Sequence, residues 1–209
     1  PQALISGTVS DSLTTQGIVA QLLFYADGDP TGGPTHTTTS LSNGSYSVSA
    51  VVGTYRIVVL PPAPYVDTVA VQGIPLPVTG TTVNFPLRQA QVLLVDDDGG
   101  VSSQTPYQNS LRRLNYRRRT FSIPESGGTP AGVLASFTQK PIVVWATGND
   151  TTNALTVAER SVLVSHLAGG GKALLTGHNI AQFSPVGDTL LETYLGIQFN
   201  GNAASPFLR

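Results

Sequence analysis

Residues 92–100 read VLLVDDDGG and set the architecture of the second half of the chain. The four consecutive apolar residues from Val92 to Val95 are typical of a strand that is buried on both faces of a parallel sheet. Acidic residues and then two glycines follow at once, as in a loop at the end of a strand. The segment therefore predicts the first strand of an α/β domain.

Downstream of this strand, helical and strand patterns alternate. Further strands are predicted at 120–123, 141–146 and 172–176, and helices at 107–114, 156–167 and 188–195. Thr156 and Glu159 have the spacing of a capping box at the start of the second helix. Strands that alternate with helices are typical of a parallel sheet.

Right-handed crossovers between these strands predict a doubly wound, flavodoxin-like sheet with the strand order 2-1-3-4. A fifth strand would follow Phe199, but only ten residues remain there. The fourth strand would then lie at an edge, which proteins normally cover or pair. We therefore expect an α/β domain that is truncated at its C-terminus. The chain is then a piece of a longer polypeptide, or a partner supplies the missing edge.

The first half, from Leu4 to about Leu87, is predicted to be an all-β sandwich, because short apolar runs alternate with turn residues and no helical pattern interrupts them. Residues 45–50 alternate between serine and apolar side chains, as a strand with one buried face requires. The alternation resumes at 54–59, so these two runs are predicted to form a hairpin around Val52-Gly53.

Five ordered motifs stand in this half: Ile5-Ser6-Gly7-Thr8-Val9, Gly17-Ile18-Val19, Asn43-Gly44-Ser45-Tyr46, Gly53-Thr54-Tyr55 and Val83-Asn84-Phe85-Pro86-Leu87. Together they resemble the carboxypeptidase regulatory-like domain, over residues 1–89. The resemblance implies a transthyretin-like (prealbumin-like) β-sandwich. It also implies an accessory module that has no catalytic residues of its own and stands beside catalytic or surface domains of secreted proteins.

The second half carries motifs of its own: LVDDDGG at 94–100, VVWATGND at 143–150, LTVAER at 155–160 and GGGKALLTGHNI at 169–180. They resemble the glutamine-amidotransferase-like α/β domain of large secreted bacterial proteins, which often also contain a peptidase domain. The resemblance places this domain at residues 90–209. It implies a multidomain, peptidase-associated parent protein.

Composition excludes several classes of function. The chain has 11 Lys and Arg against 12 Asp and Glu, a net charge of −1, so non-specific binding of nucleic acid lacks its main support. It contains no cysteine, which excludes disulfides and thiolate chemistry. No apolar run approaches the roughly 18 residues that a membrane span needs. Low charge and abundant Ser and Thr favour an extracellular or cell-surface protein.

Three polar segments follow predicted strands and should meet at the carboxyl edge of the sheet, where ligands of such folds bind. They are Asp96-Asp97-Asp98, Thr147-Gly148-Asn149-Asp150 and Thr176-Gly177-His178-Asn179. The candidate ligand-binding residues are therefore Asp96, Asp97, Asn149, Asp150, His178 and Asn179, with Asp96 and Asp97 as the metal ligands if a divalent cation is bound. The alternative is that Asp and Asn cap the helices that follow and Gly permits the turns.

No catalytic residue is predicted. Relatives that hydrolyse glutamine use a cysteine nucleophile, which this chain lacks, and no Gly-x-Ser-x-Gly elbow replaces it. Ser165-His166 lies within a helical pattern and has no evident acid partner. The acidic residues after the first strand also mimic a response-regulator receiver. However, the third strand ends in Trp145-Ala146-Thr147-Gly148 and not in the phosphoacceptor aspartate of that family.

Five arginines stand within eight positions: Arg112, Arg113, Arg117, Arg118 and Arg119. Basic runs next to aromatic residues can bind RNA or polyanions. Leu111 and Leu114 have helix-core spacing, however, so the arginines are predicted to occupy a solvated helix face and the loop into the second strand. Contact with an anionic surface or a glycan is the alternative.

These features predict a non-catalytic accessory, adhesion or assembly module of a larger secreted or cell-surface bacterial protein, such as a secreted peptidase. Its partner would be the remainder of that polypeptide, or a neighbouring chain joined at the open sheet edge by β-augmentation. A glycan is a further candidate partner, while nucleic acid and a membrane span are not expected. No cofactor is predicted apart from a divalent cation. The alternative is a hydrolase or carbohydrate-active site, metal-assisted, on Asp96, Asp97, Asn149 and His178.

Overall fold

The computed structural model describes residues 1–29, 32–100, 103–149, 154–181 and 187–197. Their contacts divide the chain into two compact units, Pro1–Ala90 and Gln91–Arg209. Each unit has its own hydrophobic core. Among the described residues, no helix is long and apolar enough to cross a membrane.

The first unit contains two four-stranded sheets. Its strands are β1 (Gln2–Asp11), β2 (Gln21–Ala26), β3 (His36–Thr39), β4 (Ser45–Val51), β5 (Gly53–Leu60), β6 (Val69–Leu76), β7 (Thr81–Thr82) and β8 (Phe85–Leu87). One sheet has the order β4-β1-β7, with β8 also paired to β1, and the other has the order β3-β2-β5-β6. Both sheets contribute to one core, which includes Ile5 and Tyr46 from the first sheet and Phe24 and Ile57 from the second. The unit is therefore a β-sandwich.

The predicted hairpin of 45–50 with 54–59 is wrong. β4 pairs with β1, where Ala50 is opposite Ala3, and β5 pairs with β2, where Val59 is opposite Leu22. The chain at Val52-Gly53 thus passes from one sheet to the other. The predicted buried faces are confirmed, because Ala50 and Ile57 are fully buried. Alternation identifies which face of a strand is buried but not which strand lies beside it.

The second unit has one parallel sheet of β9 (Val92–Asp96), β10 (Arg118–Ser122), β11 (Ile142–Gly148) and β12 (Lys172–Gly177). The order is β10-β9-β11-β12, which confirms the predicted 2-1-3-4 arrangement. The helices are α1 (Thr105–Arg113), α2 (Ile123–Ser126), α3 (Ala131–Ala135), α4 (Val157–Ala168) and a π-helical segment, Thr189–Leu195.

The two faces of this sheet are covered by different helices. On one face, Val92, Leu94 and Val144 contact Tyr107 and Leu111 of α1. On the other face, the cluster of Leu93, Val95, Val143 and Trp145 packs against residues of α4 and of the π-helical segment. Alternate residues of each strand therefore point to α1 and to α4.

Two of the helical segments, α4 and the π-helical segment, begin at a side-chain cap. The capping box at α4 is confirmed: the backbone N–H of Glu159 donates to Oγ1 of Thr156 at 3.3 Å, and the backbone N–H of Thr156 donates to Oε2 of Glu159 at 2.6 Å. The predicted helix at 188–195 is a π-helical segment capped by Asp188, which accepts from the N–H of Leu191 at 3.0 Å. The strand expected after Phe199 lies outside the described residues.

The second strand of the sheet is shifted from its predicted position. It begins at Arg118 and ends at Ser122, because Ile123 and Pro124 open the short helix α2. Proline is favoured in the first turn of a helix, where its missing N–H costs nothing. Ser122 pairs with Asp96, so β10 and β9 still end together at the carboxyl edge of the sheet.

Candidate functional site

The ends of the strands lie side by side at the carboxyl edge of the sheet. Asp96 of β9 is in register with Ala146 of β11, and Ala146 is in register with Thr176 of β12. The N-terminal half of α1 covers this row, because Oη of Tyr107 hydrogen-bonds with Oγ1 of Thr176 at 2.8 Å. The loops after the strands are therefore neighbours around the start of α1.

Two acidic side chains, Asp96 and Asp98, form a buried pair in this row. Asp96 is 5% exposed and Asp98 is 3% exposed, and their carboxyl groups are hydrogen-bonded to each other. Burial, together with the charges of Asp98 and Glu125, raises the pKa of Asp96 to about 6. Oδ1 of Asp96 is buried and has no hydrogen-bond partner among the residues that the structure describes.

Asp98 organises the loop that leads into α1. Its carboxylate accepts from the backbone N–H of Gly100 at 3.0 Å and from that of Ser103 at 2.6 Å. Burial alone would raise the pKa of Asp98, but these hydrogen bonds outweigh it and hold the pKa below its usual value. Gly148 leaves the space for this loop, since a Cβ there would lie 2.7 Å from Cβ of Asp98 and 2.9 Å from Oγ of Ser103.

Asp97 does not join this pair. Its Oδ2 accepts from Nε1 of Trp145 at 2.8 Å, and Trp145 belongs to the face of the sheet that packs against α4. Its backbone N–H donates to the carbonyl of Ala146 at 2.9 Å. The structure thus separates Asp96 from Asp97, the two residues predicted to share a metal, and places Asp98 beside Asp96.

The remaining predicted site residues are dispersed. Asn149 and His178 are exposed, and Asn179 is half-buried with a left-handed φ of 55°. The backbone N–H of His178 donates to the carbonyl of Gly148 at 3.0 Å. Asp150 lies outside the described residues. In the part of the chain that the structure describes, no group of three or more His, Cys, Asp or Glu side chains is placed to hold a metal ion.

Sequence reasoning missed Gln104 at the start of α1. Its Oε1 is buried without a hydrogen-bond partner. Gln104, Tyr107 and Leu111 are spaced i, i+3 and i+7, and Tyr107 and Leu111 face the sheet. This spacing predicts that Gln104 lies on the sheet-facing side of α1, one turn closer to the carboxyl edge. The helical spacing from Tyr107 was the available signal.

Charges of opposite sign occupy opposite edges of this sheet. The seven described carboxylates of the unit belong to segments at the carboxyl edge: Asp96, Asp97, Asp98, Glu125, Glu159, Asp188 and Glu192. Cationic residues belong to segments at the amino edge. These segments are the end of α1, the start of β10 and the residues beside the starts of β11 and β12. The residues are Arg112, Arg113, Arg117, Arg118, Arg119, Lys140 and Lys172. Arg160 is the exception, because its Nε lies 3.4 Å from Oδ2 of Asp188. The carboxyl edge therefore favours a cation, and the amino edge an anion.

The arginine cluster was predicted to lie on a solvated helix face and in the loop into the second strand. Arg112 and Arg113 are exposed in the last turn of α1, as predicted, whereas Arg118 and Arg119 are half-buried within β10 itself. Contact of this cluster with an anionic surface or a glycan stays a prediction.

The sandwich carries a separate surface cavity of about 590 Å³. Tyr25, Asp27, Arg56 and Gln72 contribute to its lining, and the guanidinium of Arg56 lies over the ring of Tyr25 at 4.2 Å from its centroid. This cavity offers polar groups next to an aromatic ring, a combination suited to polar ligands.

The pKa of Asp96 makes the stability of the α/β unit depend on pH. Because the pKa is raised from 3.8 to about 6 on folding, stability should fall as pH rises between these values and stay low above them. Asp96→Asn should remove this loss and raise the free energy of unfolding above pH 6 by up to about 3 kcal/mol. Urea titrations at a series of pH values in EDTA, monitored by the fluorescence of the single tryptophan, measure this free energy of unfolding. A variant that still loses stability between pH 4 and 6 would contradict this assignment.

Comparison with known proteins gives no family for the chain. No family model matches it, and no curated protein matches it. It is similar to a DUF3823 family protein from Parabacteroides merdae, with 22% identity and a TM-score of 0.34 over 43% of this chain and 47% of that one. It is also similar to the group B streptococcus pilus 2b backbone protein, with 16% identity and a TM-score of 0.31 over 42% of this chain and 41% of that one. The major pilin subunit of Bacillus cereus is similar with 12% identity and a TM-score of 0.30 over 46% of this chain and 35% of that one.

The chain spans less than half the length of each of these three structures. Similarities this low do not assign a function. The resemblance of the second half to amidotransferase-like domains and the link to a peptidase find no support in the comparisons. Both stay predictions.

Proposed function

We propose that this chain is a non-catalytic accessory and assembly module of a larger secreted or cell-surface protein, built from a carboxypeptidase regulatory-like sandwich at 1–89 and a flavodoxin-like α/β domain at 90–209. The observation that carries the proposal is that no described strand pairs with the outer side of β12. Through this edge the module joins a strand of a neighbouring chain.

β12 is the last strand of the parallel sheet, and no described strand pairs with its outer side. Ala173 and Leu175 point to the face covered by α4, whereas Leu174 points the other way and is 54% exposed. The strand therefore offers unpaired backbone groups together with an exposed apolar side chain. This combination is what strand addition by another chain uses.

Three other edge strands are protected against such pairing, whereas β12, like the edge strand β4, has neither a proline nor a charge in its middle. β10 carries Arg118 and Arg119, and charged side chains block edge-to-edge association. β6 contains Pro75, which cannot donate a ladder hydrogen bond, and its register with β5 shifts. β3 has only four residues, three of which are threonine. After Lys172, β12 has no charged residue.

The polar residues at the carboxyl edge support a non-catalytic role because most of them hold the structure together. Asp97 bonds to Trp145, and Asp98 bonds to two backbone N–H groups. At the opposite, amino edge, His166 is also buried, with Nε2 at 3.3 Å from the carbonyl oxygen of Lys172, so this nitrogen contacts that carbonyl and not Ser165. These contacts favour the accessory role over the hydrolase alternative.

Leu174→Lys tests the proposal, because a charge in the middle of an edge strand blocks pairing while a 54% exposed position tolerates it. In sedimentation velocity, the wild-type chain should gain mass with increasing concentration, and Leu174→Lys should remain at 21.8 kDa. Val71→Lys is the matched control, since Val71 is a 36% exposed apolar residue on the protected edge strand β6. Assembly through the edge of β12 would be ruled out if the wild-type chain stayed monomeric at all concentrations, or if the Leu174→Lys variant associated as strongly as the wild type.

A further inference from the structure

At the carboxyl edge of the sheet, two buried oxygen atoms that carry no proton when Asp96 is ionised have no hydrogen-bond partner among the described residues. They are Oδ1 of Asp96, in a side chain that is 5% exposed, and Oε1 of Gln104. Both are acceptors and neither has a proton of its own to offer when Asp96 is ionised. Buried acceptors without a donor are costly in a folded protein, and an ion or ordered water usually explains them.

Strand and helix periodicity place these two residues on facing sides of β9 and α1. Asp96 follows Leu94 by two residues, so both side chains lie on the α1 face of β9. Gln104 precedes Tyr107 by one helical turn on the face of α1 that packs against the sheet. Since Gln104 is the N-cap of α1 and the chain enters α1 from the carboxyl edge, this spacing puts Gln104 at the same edge of the sheet as Asp96.

The surroundings of Asp96 are acidic. Asp98 contacts Asp96 directly, and the charge of Glu125 acts on Asp96 from the start of α2. The seven carboxylates named above lie at this edge of the sheet, and Arg160 is the described cation there, in contact with Asp188. A cation at this edge would be attracted by this field.

We propose that Asp96, Asp98 and Gln104 bind one hard divalent cation, Mg²⁺ or Ca²⁺, between the carboxyl end of β9 and the start of α1. Two carboxylates and an amide oxygen are ligands that both ions accept, with water completing the coordination. Asp97 takes no part, because its carboxylate bonds to Trp145 on the opposite face. The site does not include residues of β12, so its test is independent of the test of the proposed assembly function.

Calorimetric titration of the full chain with MgCl₂ and with CaCl₂ tests the site, together with the melting temperature in each salt. The wild-type chain should bind one ion, and its melting temperature should rise with the concentration of that ion. Asp96→Asn should lower the affinity at least about tenfold. Gln104→Glu should raise the affinity, because it adds a charge to the ligand set while keeping the side-chain length.

Asp97→Asn is the matched control, since it removes a charge from the adjacent residue while keeping an acceptor for Nε1 of Trp145. Its affinity should equal that of the wild type. The proposal is wrong if the wild-type chain binds neither ion, or if Asp96→Asn binds as tightly as the wild type. It is also wrong if Asp97→Asn loses affinity equally, because diffuse attraction by the acidic edge would then account for the binding. Circular dichroism confirms that each variant is folded.

Discussion

Replacing Trp145 with alanine is expected to lower the free energy of unfolding of the α/β unit by about 4 kcal/mol, the range found for large aromatic truncations in cores. Trp145 is fully buried in the central strand β11, at the centre of the cluster that joins the sheet to α4. Its Nε1 also donates to Asp97, so the variant loses both the packing and the restraint on the loop after β9. Differential scanning calorimetry measures the loss.

Trp145→Phe separates these two contributions. It keeps most of the buried ring but removes the N–H donor, so it should cost about 1–2 kcal/mol, the penalty of a lost hydrogen bond and some packing. Only the transition of the α/β unit should shift, because Trp145 belongs to the core of that unit. Equal losses for both variants would mean that the bond to Asp97, and not the packing, carries the effect.

Replacing Gly7 with alanine is expected to destabilise the sandwich by about 3 kcal/mol, at the upper end for overpacked positions. A Cβ at Gly7 would overlap the carbonyl oxygen of Val83, which is backbone and cannot turn away as a side chain can. The same carbonyl accepts the hydroxyl of Tyr46 at 2.6 Å. Relief of the overlap would therefore break a buried hydrogen bond as well.

Gly33→Ala is the control for this substitution. A Cβ at Gly33 meets nothing within 4 Å, so the melting temperature should change little. Thermal unfolding followed by circular dichroism compares the two variants. The fluorescence of Trp145, which reports on the other unit, should be the same in both. A Gly7→Ala chain as stable as the wild type would show that β1 and the segment at Val83 can separate without cost.

The parallel sheet could be predicted because its signal is local and strong. A run such as Val92 to Val95, apolar on both faces, has few alternatives to a buried parallel strand, and the helices between the strands imply right-handed crossovers. The pairing partners of the two strands that flank Val52-Gly53 could not be predicted from such a local signal. Each of these strands carries the correct alternation, yet β4 and β5 belong to different sheets. Pairing depends on contacts between distant residues such as Ala3 and Ala50.

The sequence indicates the edge of the sheet at which the candidate residues lie, and their role in binding a ligand stays a prediction. The order of the strands indicates that Asp96 lies at the carboxyl edge, where ligands bind. The prediction joined Asp96 to its neighbour Asp97, but adjacent residues at the end of a strand point to opposite faces. Asp98 lies beside Asp96 because its carboxylate accepts hydrogen bonds from the backbone N–H groups of Gly100 and Ser103. The role proposed for Gln104 depends on the packing of α1 against the sheet.

The sequence by itself determined the elements of this protein: which residues form strands, which faces are apolar, where α4 begins, and that cysteine chemistry is absent. These properties follow from the spacing of side chains along a few turns or strands. Only the tertiary structure decided that β4 and β5 separate and that acidic and basic residues lie at opposite edges of one sheet. Those outcomes require parts of the chain far apart in sequence to be brought together, and local spacing carries no information about them.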